Sequence, residues 1–342
     1  MGVMSLNTVS RILVILSWLL VSGSGRDPER PPLGLVEVEH PKSNPPTEAK
    51  INLGKRLFFD TLLSRDGTIS CATCHIPEQA FAHRGEARSR GIGGRLGHRN
   101  SPSLLNVAFA QSLFHDGRSP ALEDQVWEPL LDENEMGNHS EKDLLQRLGA
   151  AEEYVRMFSE AFGVDHPDKD SVSKALAVYQ RTLLSGNSLY DQWYWGNPDA
   201  LSKQAKIGYG LFIGRAQCWQ CHPLNSETAL LFTDHSFHNT GVSAASTKQL
   251  LQGEEPLLPD LGRFEHTKET IDRFHFKTPS LRNVALTPPY MHDGSIPTLK
   301  GVVQFYNQAE ENSELLSLYL DENEVDALVA FLESLTGDQV TE

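Results

Sequence analysis

The chain has 342 residues, 39% of them hydrophobic, which is enough to build the core of one large or two ordinary domains. Its formal net charge of -15 argues against nucleic acid and anionic membranes as partners, because like charges repel. The same charge suits a basic protein partner, although ordinary solubility is an equally good reason for it.

Residues 1–26 predict a secretion signal. Arg11 precedes a mainly apolar run over residues 12–21, and a Ser/Gly-rich segment follows. This run is shorter than the roughly 20 residues that a membrane-spanning helix needs. We therefore expect export to the periplasm and no membrane span after removal of the signal. An uncleaved anchor is the alternative.

Beyond the signal, the spacing of apolar residues predicts a mainly helical chain with no convincing alternating strands. Residues 85–100 and most of residues 226–276 are polar and rich in Gly, and predict loops. Residues 186–198 are a plausible domain junction. Helices are expected at Ala49 to Phe59, Glu141 to Phe162, Ser171 to Leu184 behind a capping Asp170, Lys203 to Phe212, and Glu322 to Leu335 between the caps Asp321 and Gly337.

All four cysteines fall in two copies of one motif, Cys-x-x-Cys-His. The copies are Cys71, Cys74 and His75, and Cys218, Cys221 and His222. In such a motif both cysteines form thioethers to one haem, and the histidine binds the iron from one face. We expect two covalently bound haem c groups, which agrees with export, because this haem is attached outside the cytoplasm. A Cys2His2-type metal site and a redox dithiol are the alternatives.

Other segments repeat in the same order. Residues 102–108 match residues 279–285, and His115-Asp116-Gly117 matches His292-Asp293-Gly294 at the same separation. A Gly-x-x-Leu-Phe pattern also precedes each haem motif, beginning at Gly54 and at Gly208. We infer that one haem-binding helical unit was duplicated. This predicts an all-α fold of two haem-binding domains, residues 45–186 and residues 199–337.

The second face of each haem decides its chemistry, because a capped iron exchanges electrons and an open one can bind peroxide. Downstream of His292, the candidate ligand is Tyr306. The corresponding residue of the first unit is Pro129, which cannot bind iron. The repeat thus predicts one capped and one open haem. From spacing alone, an ordinary half-buried tyrosine is the alternative for Tyr306.

At these residues the chain resembles the bacterial di-haem cytochrome c peroxidases and their MauG-like relatives, over roughly residues 45–337. The resemblance rests on the two haem motifs and on residues 237–241, 276–283 and 289–294. It implies two cytochrome c-type helical domains whose haems face each other across the junction, and a periplasmic enzyme that reduces hydrogen peroxide. The electrons would come from a small cytochrome or from side chains of a partner protein. A di-haem electron-transfer cytochrome without catalysis is the alternative.

The resemblance also implies roles for single residues. Gln125, Pro129 and Glu135 match the residues that line the open face of the N-terminal haem. Glu135 would move a proton between the peroxide oxygens, and Gln125 would orient the peroxide. Tyr306 matches the iron ligand of the MauG-like branch, where the electron-transferring peroxidases have Met. This ligand favours a partner's side chains as the electron source.

A calcium ion between the domains is also implied. Asn100, Thr287 and Pro289 match its ligands in the family, the last two through their backbone carbonyl groups. We therefore expect Ca2+ as a third cofactor.

The chain departs from the family at the position before Asp-Gly-Arg. The family usually has a Trp relay there between the haems, whereas this chain has His115. We expect His115 to be the electron relay, with Phe114, Trp127 or a purely structural His115 as alternatives. His83 and His98 are candidates for a histidine that blocks the peroxide site, and surface histidines are the alternative.

Overall fold

The computed structural model describes residues 30–224, 231–242, 260–308 and 313–338. This part of the chain is mostly helical, as predicted, and one antiparallel pair of two-residue strands, β1 (Phe237–His238) and β2 (Phe276–Lys277), forms its sheet. The helices are α1 (Glu48–Phe59), α2 (Cys71–Cys74), α3 (Leu122–Gln125), α4 (Trp127–Leu131), α5 (Glu141–Ala150), α6 (Glu152–Phe162), α7 (Lys169–Arg181), α8 (Leu189–Tyr194), α9 (Lys203–Ile213), α10 (Phe264–Thr267), α11 (Leu299–Gln308) and α12 (Glu322–Glu333).

The predicted signal at residues 1–26 lies outside the described residues. Within the described ranges, every helix is too short or too polar to cross a bilayer. Most of the loop predicted over residues 226–276 also lies outside them. Its described parts contain β1, α10, a 3-10 helix at Thr270–Asp272 and the start of β2.

Two predicted helices were wrong in detail. The stretch Glu141 to Phe162 is two helices, because the backbone of Ala151 is extended between α5 and α6. The cap of α7 is Asp168, not Asp170: its carboxylate accepts the backbone N–H of Ser171 at 2.8 Å. This helix ends at Arg181, three residues before the predicted end. Alanine carries no stop signal, and both aspartates suit a cap, so local sequence could not decide either point.

The last helix starts as predicted. Asp321 accepts the backbone N–H of Glu324, and the Glu324 side chain accepts the backbone N–H of Asp321, which is a capping box. The helix ends at Glu333, so the predicted cap at Gly337 was wrong. Gly337 instead donates its N–H to Oδ1 of Asn283 at 2.9 Å.

The core consists mainly of two hydrophobic clusters. One lies around α1 and α7, and the other around α9 and α12. Each helix pair meets at a glycine: a Cβ on Gly54 would lie 2.0 Å from the carbonyl oxygen of Ala175, and a Cβ on Gly208 would lie 1.9 Å from that of Ala327. Close helix contact therefore requires glycine at both positions.

The two copies of the repeated segment make matching contacts. Asn106 and Asn283 both have a φ of +61°, a left-handed conformation that asparagine tolerates. Oδ1 of Asn106 accepts the N–H of Ser185 at 2.9 Å, just as Oδ1 of Asn283 accepts the N–H of Gly337. Each asparagine thus ties its segment to the chain that follows α7 or α12.

Candidate active site

Both haem motifs open onto one cavity. Its volume is about 1580 Å³, and its walls include Cys74 and His75 from the first motif and Cys218, Cys221 and His222 from the second. Cys71 packs against the neighbouring hydrophobic cluster. Pockets for single small molecules usually measure about 300–1,000 Å³. The size and the donor set of this cavity therefore fit two large apolar groups such as haems.

The two motif histidines are oriented through backbone carbonyl groups. Nδ1 of His75 lies 3.2 Å from the carbonyl oxygen of Phe81 and 3.1 Å from that of Pro102. Nδ1 of His222 lies 2.7 Å from the carbonyl oxygen of Phe232. Burial lowers the pKa of both histidines, so each is neutral and donates its one proton from Nδ1. Nε2 is then left as the nitrogen that can bind iron.

The sequence did not predict the carbonyl groups that orient the histidines. Phe81 and Phe232 have φ values of +52° and +55°, which bulky residues rarely adopt. They stand six residues after His75 and ten after His222, so spacing gave no signal. The two phenylalanines are buried, and this packing supports the unusual backbone.

The structure brings the three predicted distal residues together with His75, since Gln125, Pro129 and Glu135 all line its cavity. Gln125 is the last residue of α3, and Pro129 lies within α4. Glu135 follows in the next loop, where its carbonyl oxygen accepts the N–H of Ile92 at 2.8 Å. This bond fixes the loop, and the Glu135 side chain with it, beside the first haem motif.

The Glu135 carboxyl group holds its proton more tightly than a free carboxyl group does. Burial raises its pKa to about 7, and the nearby carboxylate of Asp132 adds to the effect. A group with a pKa near the working pH exchanges protons readily in both directions. The environment of Glu135 is therefore that of a general acid–base residue.

Tyr306 lies on α11 and lines the cavity together with the second haem motif. Burial raises the pKa of its hydroxyl group, and the nearby Cys221 and Cys218 contribute. The protein alone thus keeps this phenol neutral. Binding to ferric iron as a phenolate would need the metal's own charge to reverse that effect.

His115 is connected to its repeat counterpart through one residue. Nε2 of His115 lies 3.0 Å from the carbonyl oxygen of Asn100, and the N–H of Asn100 donates to the carbonyl oxygen of His292 at 2.8 Å. Burial lowers the pKa of His115 to about 4, so its ring is neutral. His115 also lines the cavity, as Phe114 does. Trp127 instead lies in the first hydrophobic cluster and donates its indole N–H to Ser173.

The three residues predicted to bind calcium, Asn100, Thr287 and Pro289, line the same cavity. They come from segments far apart in sequence. Asn100 donates its side-chain amide to the carbonyl oxygen of Ala87 at 3.0 Å, which leaves the amide oxygen as its possible ligand atom.

The two candidate blocking histidines differ in position. His98 lines the cavity, but its side chain is 68% exposed and its Nε2 lies 3.4 Å from Asp132. Nδ1 of His83 is hydrogen-bonded to Oγ of Ser89 at 2.7 Å. The contacts of both are those of ordinary polar residues.

An arginine network beside His115 was also missed. Arg99 pairs with Asp260 through two nitrogen–oxygen contacts of 2.6 and 2.8 Å, and with Asp116 at 2.6 Å. Asp116 is also bound by Arg118, which reaches Glu128 at 2.6 Å. The network holds the residue after His115 and ends on α4, beside Pro129. The repeated His-Asp-Gly motif singled out Asp116 in the sequence. It gave no indication of Asp260, which lies far from Arg99 along the chain.

Comparisons with known proteins agree with this site. A sequence model of the di-haem cytochrome c peroxidases matches residues 48–199. The chain is 40% identical to methylamine utilization protein MauG of Methylorubrum extorquens, over 88% of this chain and 82% of that protein. It is 36% identical to cytochrome-c peroxidase IdrP1 of Denitromonas iodatirespirans, over 92% of this chain and 89% of that protein.

A solved structure of a MauG-like protein associated with microbial copper homeostasis has a TM-score of 0.76 to this chain at 30% identity, covering 90% of this chain and 95% of that one. The predicted resemblance is thus confirmed, and with it two haem c groups and the oxidoreductase class. The chain belongs to the family of di-haem cytochrome c peroxidases that also includes MauG.

Proposed function

We propose that this protein reduces hydrogen peroxide to water, with one haem attached at Cys71 and Cys74 and the other at Cys218 and Cys221. The observation that carries the proposal is an asymmetry in the cavity wall. Pro129, which offers no ligand atom, lines the cavity from α4, and its helix neighbours Trp127 and Leu130 belong to the cluster that contacts Cys71. Tyr306 instead lies near the cysteines of the second motif.

The two haems would be held by two cytochrome c-type domains, residues 45–186 and 199–337, that arose by duplication. Matching contacts support this interpretation. Gly54 and Gly208 each allow a helix to approach a backbone carbonyl group, and Asn106 and Asn283 each accept an N–H from the chain beyond the partner helix. Such correspondence is expected of copies of one unit.

The haem bound through His75 would supply an iron that exchanges electrons with peroxide. Glu135 would take the proton from one peroxide oxygen and deliver it to the other, which then leaves as water. Gln125 would orient the peroxide by hydrogen bonding from its side-chain amide. The pKa of Glu135 near 7 supports the acid–base role.

His222 and Tyr306 would together hold the second haem, which would supply electron transfer. A hard anionic oxygen favours higher oxidation states of iron than the Met of the electron-transferring peroxidases. Tyr306 lies close to Cys218 and Cys221, which supports its assignment to the second haem.

Electrons would pass between the haems by way of His115, which lines the cavity and shares Asn100 with His292. Asn100, Thr287 and Pro289 would bind Ca2+ beside this path, because an amide oxygen and two carbonyl oxygens are ligands that calcium prefers. Calcium would hold the segments around His115 and His292 in place.

The protein would act in the periplasm after removal of residues 1–26. Its electrons would come from a small cytochrome or from side chains of a partner protein, and Tyr306 favours the second. Among the relatives, the name cytochrome-c peroxidase agrees with a cytochrome donor.

The ferric spectrum of the purified holoprotein tests the proposal. We expect one high-spin and one low-spin haem, and reaction with peroxide. Tyr306→Phe and Tyr306→Met should change only the low-spin component, while Tyr319→Phe, at a tyrosine that is 84% exposed, should change neither. Two low-spin haems that ignore peroxide would favour the electron-transfer cytochrome instead.

A further inference from the structure

A set of aromatic rings leads from the surface to the second haem motif. Trp195 is 61% exposed, and its ring centroid lies 5.5 Å from that of Tyr194. Tyr194 stacks on the fully buried Tyr190 at 5.9 Å, and Tyr190 contacts Phe232 at 5.3 Å. The carbonyl oxygen of Phe232 accepts the hydrogen bond from His222. Each separation lies within the range of direct aromatic contact.

Further oxidisable rings surround Tyr190. Trp193 lies 5.8 Å from it and Tyr209 lies 5.9 Å from it, measured between ring centroids. The first unit has fewer oxidisable rings. The counterpart of Phe232 is Phe81, whose ring lies 6.1 Å from that of Phe58, and Phe58 leads to a single tyrosine, Tyr179, at 5.3 Å. Phenylalanine is much harder to oxidise than tyrosine or tryptophan. The rings that can carry an electron are therefore concentrated behind the C-terminal motif.

These rings are held in fixed positions. Tyr190 and Tyr194 are part of α8, whose Asp191 is buried and paired with Arg282 at 2.8 Å through two contacts. The backbone N–H of Tyr190 also donates to the carbonyl oxygen of Ser334 at 3.1 Å. A rigid arrangement keeps the ring separations short, which electron transfer between rings requires.

We propose that Trp195, Tyr194 and Tyr190 carry electrons from small aromatic donors at the surface to the His222 side of the C-terminal haem. This inference rests on the peroxidase function proposed above, and adds the class of reductant and the place where it reacts. The exposed rings of Trp195 and Tyr194 stand at 83° to each other, so a donor ring can stack on either. The net charge of -15 disfavours anionic donors.

The electrons and protons balance with hydroquinone as donor. Hydroquinone loses two electrons and two protons to become benzoquinone, and hydrogen peroxide takes up two of each to become two molecules of water. The electrons travel through the rings one at a time. When Tyr194 gives up an electron, its exposed hydroxyl group releases the phenolic proton to water. The buried Tyr190 passes its proton to the neighbouring hydroxyl group of Tyr209. Each tyrosine regains its proton with the next electron, so the protein is unchanged after each turnover.

Steady-state oxidation of hydroquinone by peroxide tests the route in the holoprotein. Trp195→Phe and Tyr190→Phe should each lower kcat/KM for hydroquinone by about tenfold, and Tyr319→Phe should leave it within about twofold. All three should react with peroxide alone as fast as the wild type. Phenylalanine keeps a ring at each position, so the packing of α8 is preserved.

Peptide mass spectrometry gives a readout besides turnover. After peroxide without donor, the wild type should carry added oxygen on Trp195, and Tyr190→Phe should not, because the interior step is lost. An effect of Trp195→Phe without any effect of Tyr190→Phe would reduce Trp195 to a donor-binding surface and overturn the route. The route would also be overturned if both variants oxidise hydroquinone as fast as the wild type does. A wild type that does not react with peroxide at all would overturn the peroxidase function itself.

Discussion

Arg282 and Asp191 form a buried bidentate ion pair in which both nitrogen–oxygen distances are 2.8 Å. One of the same guanidinium nitrogens donates to the carbonyl oxygen of Gly34 at 2.9 Å. Asp191 is also part of the capping box at the start of α8, with Ser188. The pair therefore ties three distant parts of the chain together, and Arg282 stands in the repeated segment next to Asn283.

Replacing Arg282 should destabilise the folded protein. Arg282→Met should lower the free energy of unfolding by about 3–5 kcal/mol, because Asp191 then keeps a buried charge without a cation. Arg90→Met is the matched control: Arg90 pairs with Glu86 at 3.1 Å in a largely exposed position, so its loss should cost less than about 1 kcal/mol. Urea unfolding of the holoproteins measures both values. Similar losses in the two variants would mean that the buried pair has no special role.

The glycine at the contact of α9 and α12 allows a second comparison. Gly208→Ala places a Cβ 1.9 Å from a backbone carbonyl oxygen, so the helices must move apart, at a cost of about 1–3 kcal/mol. Gly210→Ala, in the same helix, meets no heavy atom within 4 Å and should raise stability by up to about 1 kcal/mol, because alanine is the better helix former. Thermal unfolding of both variants provides the measurement. A stable Gly208→Ala protein would show that the helices can separate freely.

Sequence predicted the parts of this site that depend on residue type and repetition. The haem motifs are recognisable because their chemistry requires cysteines and histidine at fixed spacing. Gly54 and Gly208 were noticed as a repeated pattern, and the structure gives the reason, since each faces a backbone carbonyl group.

Other features depend on contacts between distant segments and left no local signal. The carbonyl groups of Phe81 and Phe232 orient the haem histidines through an unusual backbone conformation that packing supports. Arg99 finds Asp260 across a long stretch of chain. The break between α5 and α6 occurs at Ala151, a residue that favours helices.

The proposed calcium site can be tested with the chain's own asparagines. Asn100→Ala should weaken calcium binding in an equilibrium titration, because it removes a side-chain oxygen ligand. Asn197→Ala changes an exposed asparagine and should bind calcium like the wild type. Calcium removal from the wild type should perturb the haem spectrum, since Asn100 links His115 and His292. Equal calcium affinity in both variants would exclude Asn100 as a ligand.

Glu135 should govern the pH dependence of the reaction with peroxide. As a base it must be ionised, so the rate should rise with pH through about 7 and then become constant. Glu135→Gln should lower this rate by about 10²–10⁴-fold and abolish the inflection. Glu133→Gln is the control, because Glu133 lies in the same loop with its side chain 82% exposed, and its profile should match the wild type. Stopped-flow absorbance measures the rate.

Glu135→Gln should also change the pH dependence of the free energy of unfolding, which can be measured independently of catalysis. Burial raises the pKa of Glu135 above its ordinary value, so the folded protein binds this proton more tightly than the unfolded chain does. The contribution of Glu135 to stability is therefore greatest at low pH and falls as the pH rises to about 7. Glu135→Gln stays neutral and should remove that part of the fall, whereas Glu133→Gln should not. If the stability of the two variants depends on pH in the same way over this range, burial does not raise the pKa of Glu135. Its proposed role as the proton carrier would then have no physical support.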